Sequence, residues 1–374
     1  MTERLASVLL AGGGTAGHVN PLLAVADELR SRDAGTRLTV LGTATGLEAD
    51  LVPARGYPLV EVPRVPLPRR PTPDWLRLPG RLRSAVAAAG EAIDSTGAQV
   101  VVGFGGYVST PAYLAARRRG VPVVIHEQNA RPGLANRLGA RWARSVAVTF
   151  PGTPLPGAVV TGLPLRRQVA DLVVARTADP AGSRATAAAA LGLDPDRPTL
   201  VVTGGSLGAL SLNRAAAGAA ADLLAAGAQV LHLTGRGKAD DVRAALGGLG
   251  PADAAAYQVR EYLAEMELAL AVADLVLCRS GAGTVGELAA LGIPAVYVPL
   301  PVGNGEQRLN AAPVVDAGGG LLVADADASP ELVRRAVVPL LTDPGRLAAM
   351  SRAASAVGVV DAAARVADLV EAAR

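Results

Sequence analysis

Residues 278–310 read CRSGAGTVGELAALGIPAVYVPLPVGNGEQRLN, and the fold follows from how this stretch is punctuated. An apolar strand, Leu275 to Cys278, ends in a Gly/Ser turn, Ser280 to Gly283. A short helix runs from Thr284 and closes at Gly292, and a second apolar strand, Ile293 to Leu300, follows. A polar loop with Asn304, Glu306 and Gln307 comes next. In a doubly wound parallel sheet, ligands sit at the turn after a strand's carboxyl end, facing a helix N-terminus. Backbone N–H groups there favour an anion such as a diphosphate. Glu287, one turn into the helix, cannot hold a phosphate but can accept two hydroxyl protons from a ribose. Together these suggest a nucleotide. Thr284-Val285-Gly286-Glu287 also fits a capping box, a purely structural use of the same residues.

Outward from this stretch, short apolar runs alternate with Ala/Leu/Arg-rich helical segments, the signature of βαβ units in an α/β chain. In the first half, 7–11, 37–41, 100–102, 121–125 and 145–148 read as strands, with helices over 21–31, 82–93 and 111–119. In the second half, 199–203, 229–233, 275–278 and 295–300 read as strands, with helices over 213–225 and 264–271. The low-complexity patch 181–190 reads as a loop or a helix start. Two Rossmann-like halves emerge, and 374 residues exceed one ordinary core. The turn-rich break Thr161-Gly162-Leu163-Pro164 puts the boundary between residues 1–163 and 164–346, with a C-terminal helix, 347–374, expected to pack back onto the first half.

Apolar residues make up 50% of the chain but aromatics only 3%, so the cores are expected from Ala, Val and Leu. No window approaches the ~20 apolar residues of a membrane span. The start, MTERLASVLLAGGG, carries an apolar run too short for a signal peptide, and the chain is expected in the cytoplasm. One cysteine excludes a thiolate metal cluster. His18, His126 and His232 lie far apart and give no metal-ligand spacing, so neither metal nor cofactor is expected. A net charge of +3 is too small to imply nucleic acid.

Three glycine turns follow strands. Gly12-Gly13-Gly14-Thr15-Ala16-Gly17-His18 satisfies G-x-G-x-x-G, but the strand that should supply a ribose-binding acid ends in Gly42-Thr43-Ala44-Thr45, with no acid until Glu48; this argues against a nicotinamide cofactor. His18 can serve as a base near neutral pH, or merely cap or pack. Gly103-Phe104-Gly105-Gly106-Tyr107 can approach a diphosphate closely. The strand after it ends in His126-Glu127-Gln128-Asn129, a polar cluster that asks for a polar partner. Gly204-Gly205-Ser206-Leu207-Gly208 opens the second half as the first turn opens the first, and the strand carboxyl ends of the halves can face one another across a cleft. Five arginines interleave with Trp75, Leu76, Leu78 and Leu82 between residues 69 and 83, and Arg117-Arg118-Arg119 form a second basic cluster. Such a surface suits an anionic membrane, or is an ordinary solvated helix face.

The segments GGGTAGHVNPLLAVA, GFGGYVSTPAYLAA, VVIHEQNARPGLANRL, TGLPLR, TGGSLGALSLN and CRSGAGTVGELAALGIPAVYVPL resemble, in order and spacing, the MurG family over about residues 5 to 325. That resemblance implies a GT-B fold without a required metal, at the cytoplasmic side of the cell membrane. It implies transfer of N-acetylglucosamine from UDP-N-acetylglucosamine to undecaprenyl-diphospho-muramoylpentapeptide (lipid I), giving lipid II for peptidoglycan, with other wall-synthesis and division proteins as expected partners. Thr15, Ala16 and Gly17 would lie by the donor sugar and diphosphate, and Asn129 by the sugar. Arg166 and Ser206 would approach the diphosphate, and Leu263 the uracil. Ala282, Gly283, Thr284, Val285 and Gly286 would wrap the diphosphate, with Glu287 on the ribose and Gln307 on the sugar hydroxyls. His18, Tyr107, His126 and Glu127 would face the acceptor. Ala16, Leu163 and Glu306 depart from the family's pattern.

The implied reaction is attack of the muramoyl 4-hydroxyl on the anomeric carbon with inversion and departure of UDP. His18 is the first choice of base, with Glu127 or His126 as alternatives. Two rival readings are a transferase or epimerase acting on a soluble UDP-sugar substrate, and a non-catalytic membrane scaffold.

Overall fold

The structure, a computed structural model, describes residues 5–65, 74–205 and 207–374, with residues 74–76 given by their backbone alone. The described residues form two compact units. One runs up to Arg166 and takes in Val360–Arg374; the other is Arg167–Val359.

In the first unit, seven parallel strands stand in the order β3-β2-β1-β4-β5-β6-β7. They are β1 (Ser7–Ala11), β2 (Arg37–Gly42), β3 (Leu59–Glu61), β4 (Val100–Gly103), β5 (Val123–Glu127), β6 (Ser145–Val148) and β7 (Ala158–Val160). β1, β4 and β5 are buried at every residue. A parallel strand covered on both faces must be apolar throughout, which is why these strands read as nearly unbroken aliphatic runs. Alternate residues serve opposite layers. Val8, Leu10 and Val102 pack under helices Ala16–Arg32 and Ala362–Ala372 through Leu22, Val366 and Val370. Leu9, Val101 and Ile125 pack under helices Asp74–Thr96 and Ser109–Arg119 through Val86, Ala89 and Tyr113.

The second unit repeats the plan with β8 (Thr199–Thr203), β9 (Gln229–Leu233), β10 (Tyr257–Arg260), β11 (Leu275–Cys278), β12 (Ala295–Tyr297) and β13 (Gly320–Leu322), ordered β10-β9-β8-β11-β12-β13. Leu200, Val202, Leu277 and Val296 lie in its core with Leu212 and Leu223. Strand order reverses between β1 and β4 in one unit and between β8 and β11 in the other. At such a switch point the connections leave in opposite directions and open a crevice at the strands' carboxyl ends. Those ends carry the glycine turns.

Several expectations change. The segment 347–374 is two helices, not one: Pro344–Val357 stays with the second unit and Ala362–Ala372 joins the first. Gly358 makes the break, in extended conformation, and a Cβ there would collide with the Ala289 carbonyl oxygen. Arg32 holds the last helix through Asp368 at 2.6 Å and Glu371 at 3.0 Å. Residues 213–225 likewise divide, into helices Leu210–Ala217 and Ala220–Ala225. Of the two readings of the patch 181–190, the helical one holds: it lies within Pro180–Leu191, capped by Asp179 accepting from Gly182 N–H at 2.9 Å. β3, β10 and β13 went unread because three- or four-residue edge strands carry little pattern. The strand begun at Ala295 ends at Tyr297, since prolines 299 and 301 follow. Among the described residues, no helix is long and apolar enough to cross a membrane.

Candidate active site

In the first unit the loops after β1 and β4 close on His18, and the charge of Glu127, at the end of β5, acts on it. The His18 Nδ1 lies 3.1 Å from the Gly13 carbonyl oxygen and 3.1 Å from Thr15 Oγ1. A carbonyl oxygen only accepts, so Nδ1 carries the proton and Nε2 keeps its lone pair. Burial lowers the His18 pKa below its usual value, against Glu127, the Gly13 carbonyl and Glu48, which favour the charged ring. The imidazole is therefore a neutral acceptor at pH 7. Gly105 and Gly106, at φ +92° and +82°, let the loop after β4 close on it. A Cβ on Gly105 would stand 3.2 Å from His18 Nε2, and one on Gly106 2.6 Å from the Gly13 carbonyl oxygen.

The polar end of β5 is a clamp. Glu127 Oε1 accepts from Asn129 N–H at 2.9 Å, and Oε2 accepts from Gly133 N–H and Asn136 Nδ2, each at 2.9 Å. Asn136 Oδ1 accepts from the buried Tyr113 hydroxyl at 2.7 Å. Both nitrogens of the fully buried His126 are engaged: Nε2–H donates to the Gly162 carbonyl at 2.9 Å, and Nδ1 accepts from Gln128 Nε2 at 3.1 Å. Burial drives its pKa down to about 4, despite the Gly162 carbonyl. Among the described residues nothing bonds His18 Nε2, whereas the hydrogen-bonding atoms of Glu127 and His126 are engaged in holding the loops. Thr15, Ala16 and Gly17 are exposed at the start of the His18 helix. Tyr107 is exposed, with the Arg64 guanidinium 5.7 Å from its ring centroid. Arg166, half-buried, ends this unit.

The basic clusters are less uniform than the sequence suggests. Arg119 is tied to Asp94 by two 2.7 Å bonds and lies against Gly90, Arg117 stands over Trp142 at 4.8 Å, and Arg118 is exposed. Arg77 and Arg83 are exposed on helix Asp74–Thr96. Arg69, Arg70 and the side chains of Trp75 and Leu76 lie outside the described residues.

In the second unit, helix Ala282–Leu291 starts two residues earlier than expected, with Gly281 as its N-cap. Thr284 is thus inside the first turn and the capping-box reading fails. Glycine offers no side-chain acceptor, so the first amides of this ten-residue helix, at Ala282, Gly283 and Thr284, point outward without a side-chain cap. Amides so placed are able to bind an anion. Val285 is buried, and Gly286 and Glu287 are half-buried on the following turn. Below the turn, Asn310 Nδ2 donates to the Ser280 carbonyl at 3.3 Å. Arg279 donates to the carbonyls of Val298 and Pro299 at 3.0 and 3.1 Å and pairs with Asp325 at 2.6 Å, fixing the loop after β12. Gln307 Oε1 accepts from Leu300 N–H at 2.9 Å. Leu263, half-buried, follows β10. Ser206 lies outside the described residues; Gly208 is packed so closely that a Cβ there would overlap the Thr234 carbonyl oxygen.

Sequence reading missed Asn136, Arg279 and Glu48. Asn136 and Arg279 lay inside legible motifs, but a polar residue whose partners are nine to forty-six positions away gives no local signal. Glu48 was read as an acid arriving too late for a ribose; it is fully buried against the first glycine turn.

Residues 8–148 match the model of the glycosyltransferase family 28 N-terminal domain, and residues 199–366 that of its C-terminal domain. A protein of Frankia casuarinae is 58% identical over 363 residues, covering 97% of this chain and 94% of its own. One of Acidothermus cellulolyticus is 56% identical over 364 residues, 97% of each. Both are named UDP-N-acetylglucosamine–N-acetylmuramyl-(pentapeptide) pyrophosphoryl-undecaprenol N-acetylglucosamine transferase. The crystal structure of Acinetobacter baumannii MurG superposes with a TM-score of 0.76 at 28% identity, over 98% of this chain and 99% of that one. A Neisseria meningitidis UDP-GlcNAc 2-epimerase, at 14% identity and a TM-score of 0.70 over 97% and 99%, shares the fold alone. Two doubly wound parallel sheets and paired family 28 domains define a glycosyltransferase of the GT-B class. Within it, the chain belongs to the MurG family.

Proposed function

We propose that this protein transfers N-acetylglucosamine from UDP-N-acetylglucosamine to the 4-hydroxyl of undecaprenyl-diphospho-muramoylpentapeptide, forming lipid II with inversion at the anomeric carbon. Identity of 58% across 97% of the chain to a transferase of that name carries the reading. The acceptor hydroxyl gives its proton to His18 Nε2 as its oxygen bonds to the anomeric carbon, and the bond from that carbon to the diphosphate oxygen breaks. Charge gathering on the departing UDP is met by the amides of Ala282, Gly283 and Thr284 and by Arg166, with Ser206 beside them. Glu287 takes the ribose hydroxyls, Leu263 packs on the uracil, and Gln307 and Asn129 hold the sugar. Tyr107 and the loop Asn129–Gly133, set by Glu127, face the acceptor.

The lipid tail of that acceptor places the reaction at a membrane. Arg77, Arg83 and Arg118, exposed in the first unit, support peripheral attachment to an anionic surface on the cytoplasmic side, with other wall-synthesis proteins as further partners. The test is transfer of labelled N-acetylglucosamine to a lipid I analogue, set beside a water-soluble acceptor. Product with the lipid-linked acceptor is expected, and faster turnover of the soluble one would overturn the assignment.

A further inference from the structure

Glu48 is fully buried at the first turn of helix Glu48–Ala54. Its Oε2 accepts from Gly14 N–H at 2.8 Å; its Oε1 accepts from the Thr43 hydroxyl at 2.7 Å and from Thr43 N–H at 3.1 Å. Space for the carboxylate is made by glycines. A Cβ on Gly13 or Gly46 would overlap the carboxylate oxygens, and one on Gly42 would stand 2.7 Å from Glu48 Cγ. A buried carboxylate is costly unless its hydrogen bonds are complete, and a site hollowed this closely around one has a use for it.

The use follows from which amide it binds. Gly14 N–H belongs to the same peptide group as the Gly13 carbonyl, and that carbonyl accepts from His18 Nδ1. The chain of contacts is carboxylate, peptide N–H, peptide C=O, imidazole N–H. A peptide between two glycines, with Gly14 at φ +84° and open space where its Cβ would be, has little else to stop it turning over. We infer that Glu48 is a positioning residue for His18, acting through the Gly13–Gly14 peptide. It holds the carbonyl toward Nδ1, keeps Nε2 free to accept, and polarises the peptide toward the imidazolium formed when Nε2 takes a proton. Serine hydrolases achieve this with a carboxylate bonded directly to the histidine; here a peptide unit is interposed. The inference rests on His18 being the base. The other charge acting on the ring is Glu127, at the end of β5.

Glu48→Gln in the full chain is the test, because glutamine keeps the shape and loses the charge. We expect kcat to fall roughly 10- to 100-fold, by analogy with the outer partners that orient metal-bound histidines. The KM for UDP-N-acetylglucosamine should hold, and the acidic limb of the pH–rate profile should move to lower pH. In a His18→Ala background the same change should cost almost nothing more, whereas losses that multiply would assign Glu48 to the fold alone and overturn the inference. High activity in His18→Ala by itself removes the base; an inactive His18→Ala with an unmoved acidic limb in Glu48→Gln removes only the relay. Should Glu48→Gln fail to fold, heteronuclear NMR of the imidazole nitrogens in the unaltered chain decides. The Nδ1–H tautomer of His18 is expected, and the Nε2–H tautomer overturns the relay.

Discussion

The hydroxyl of Tyr113 and the side-chain carbonyl of Asn136 share a 2.7 Å hydrogen bond beneath the loop that carries Asn129. Through Asn136 Nδ2 the bond continues to Glu127, so a residue in helix Ser109–Arg119 helps to set the end of β5. Tyr113→Phe leaves an acceptor buried without its donor and should cost about 1–3 kcal/mol in urea unfolding. An unchanged midpoint and slope would show that Asn136 finds another donor.

Among the described residues nothing bonds Nε2 of His18, and its Nδ1 is tied, the arrangement a general base requires. His18→Ala should lower kcat by roughly 10²–10⁴ with UDP binding retained. Near-normal turnover would sink the assignment.

Glu287 stands on the turn after the uncapped amides and is read as the ribose acceptor. Glu287→Gln keeps one accepting oxygen and loses the charge. UDP affinity should weaken by roughly tenfold or more, a charged hydrogen bond being worth about 1.5–3 kcal/mol. Calorimetric titration with UDP, with no acceptor present, is sufficient; an unaltered Kd would move the ribose elsewhere.

Gly208, at φ +66°, meets the loop after β9, and a Cβ there would overlap the Thr234 carbonyl. Gly205, at φ +77°, has open space around the same position. Gly205→Ala should therefore cost only the left-handed strain, about 1–2 kcal/mol. Gly208→Ala should cost distinctly more, because two loops must separate. Equal losses in thermal unfolding would show that the loops are not in contact.

His126 and His232 are fully buried, and burial brings each to a pKa of about 4. His232 bonds Tyr257 at 2.9 Å and Asn213 at 3.1 Å, so like His126 it is held neutral. Both are easier to protonate unfolded, where the pKa is about 6.5. Their contribution is complete above that value and is lost as pH falls from about 6.5 toward 4. At pH 5 each should have given up about 2 kcal/mol relative to pH 7. Denaturant unfolding at the two pH values checks this, and equal stabilities would contradict it.

The sequence alone determined the α/β plan and the places where ligands could enter. Buried parallel strands must be apolar and glycine turns must follow them, and both constraints are local enough to print as runs in VLLAGGG or LVLCRSG. The family's motifs added the roles. Local pattern could not tell a helix that starts at Thr284 from one that starts at Ala282, because the capping signature concerns single hydrogen bonds. It also held no physical ground for putting His18 ahead of His126 and Glu127. Their difference lies in what fills their second acceptor or donor: Gly162 for His126, Gly133 and Asn136 for Glu127, and, among the described residues, nothing for His18 Nε2. Those partners come from other loops, brought close only when seven strands stack in a non-sequential order. The tertiary structure decided the same way about Glu48, thirty-four residues from the amide it binds. A carboxylate on a short helix reads as solvated until the sheet puts β1 and β2 side by side and folds it beneath Gly13 and Gly14.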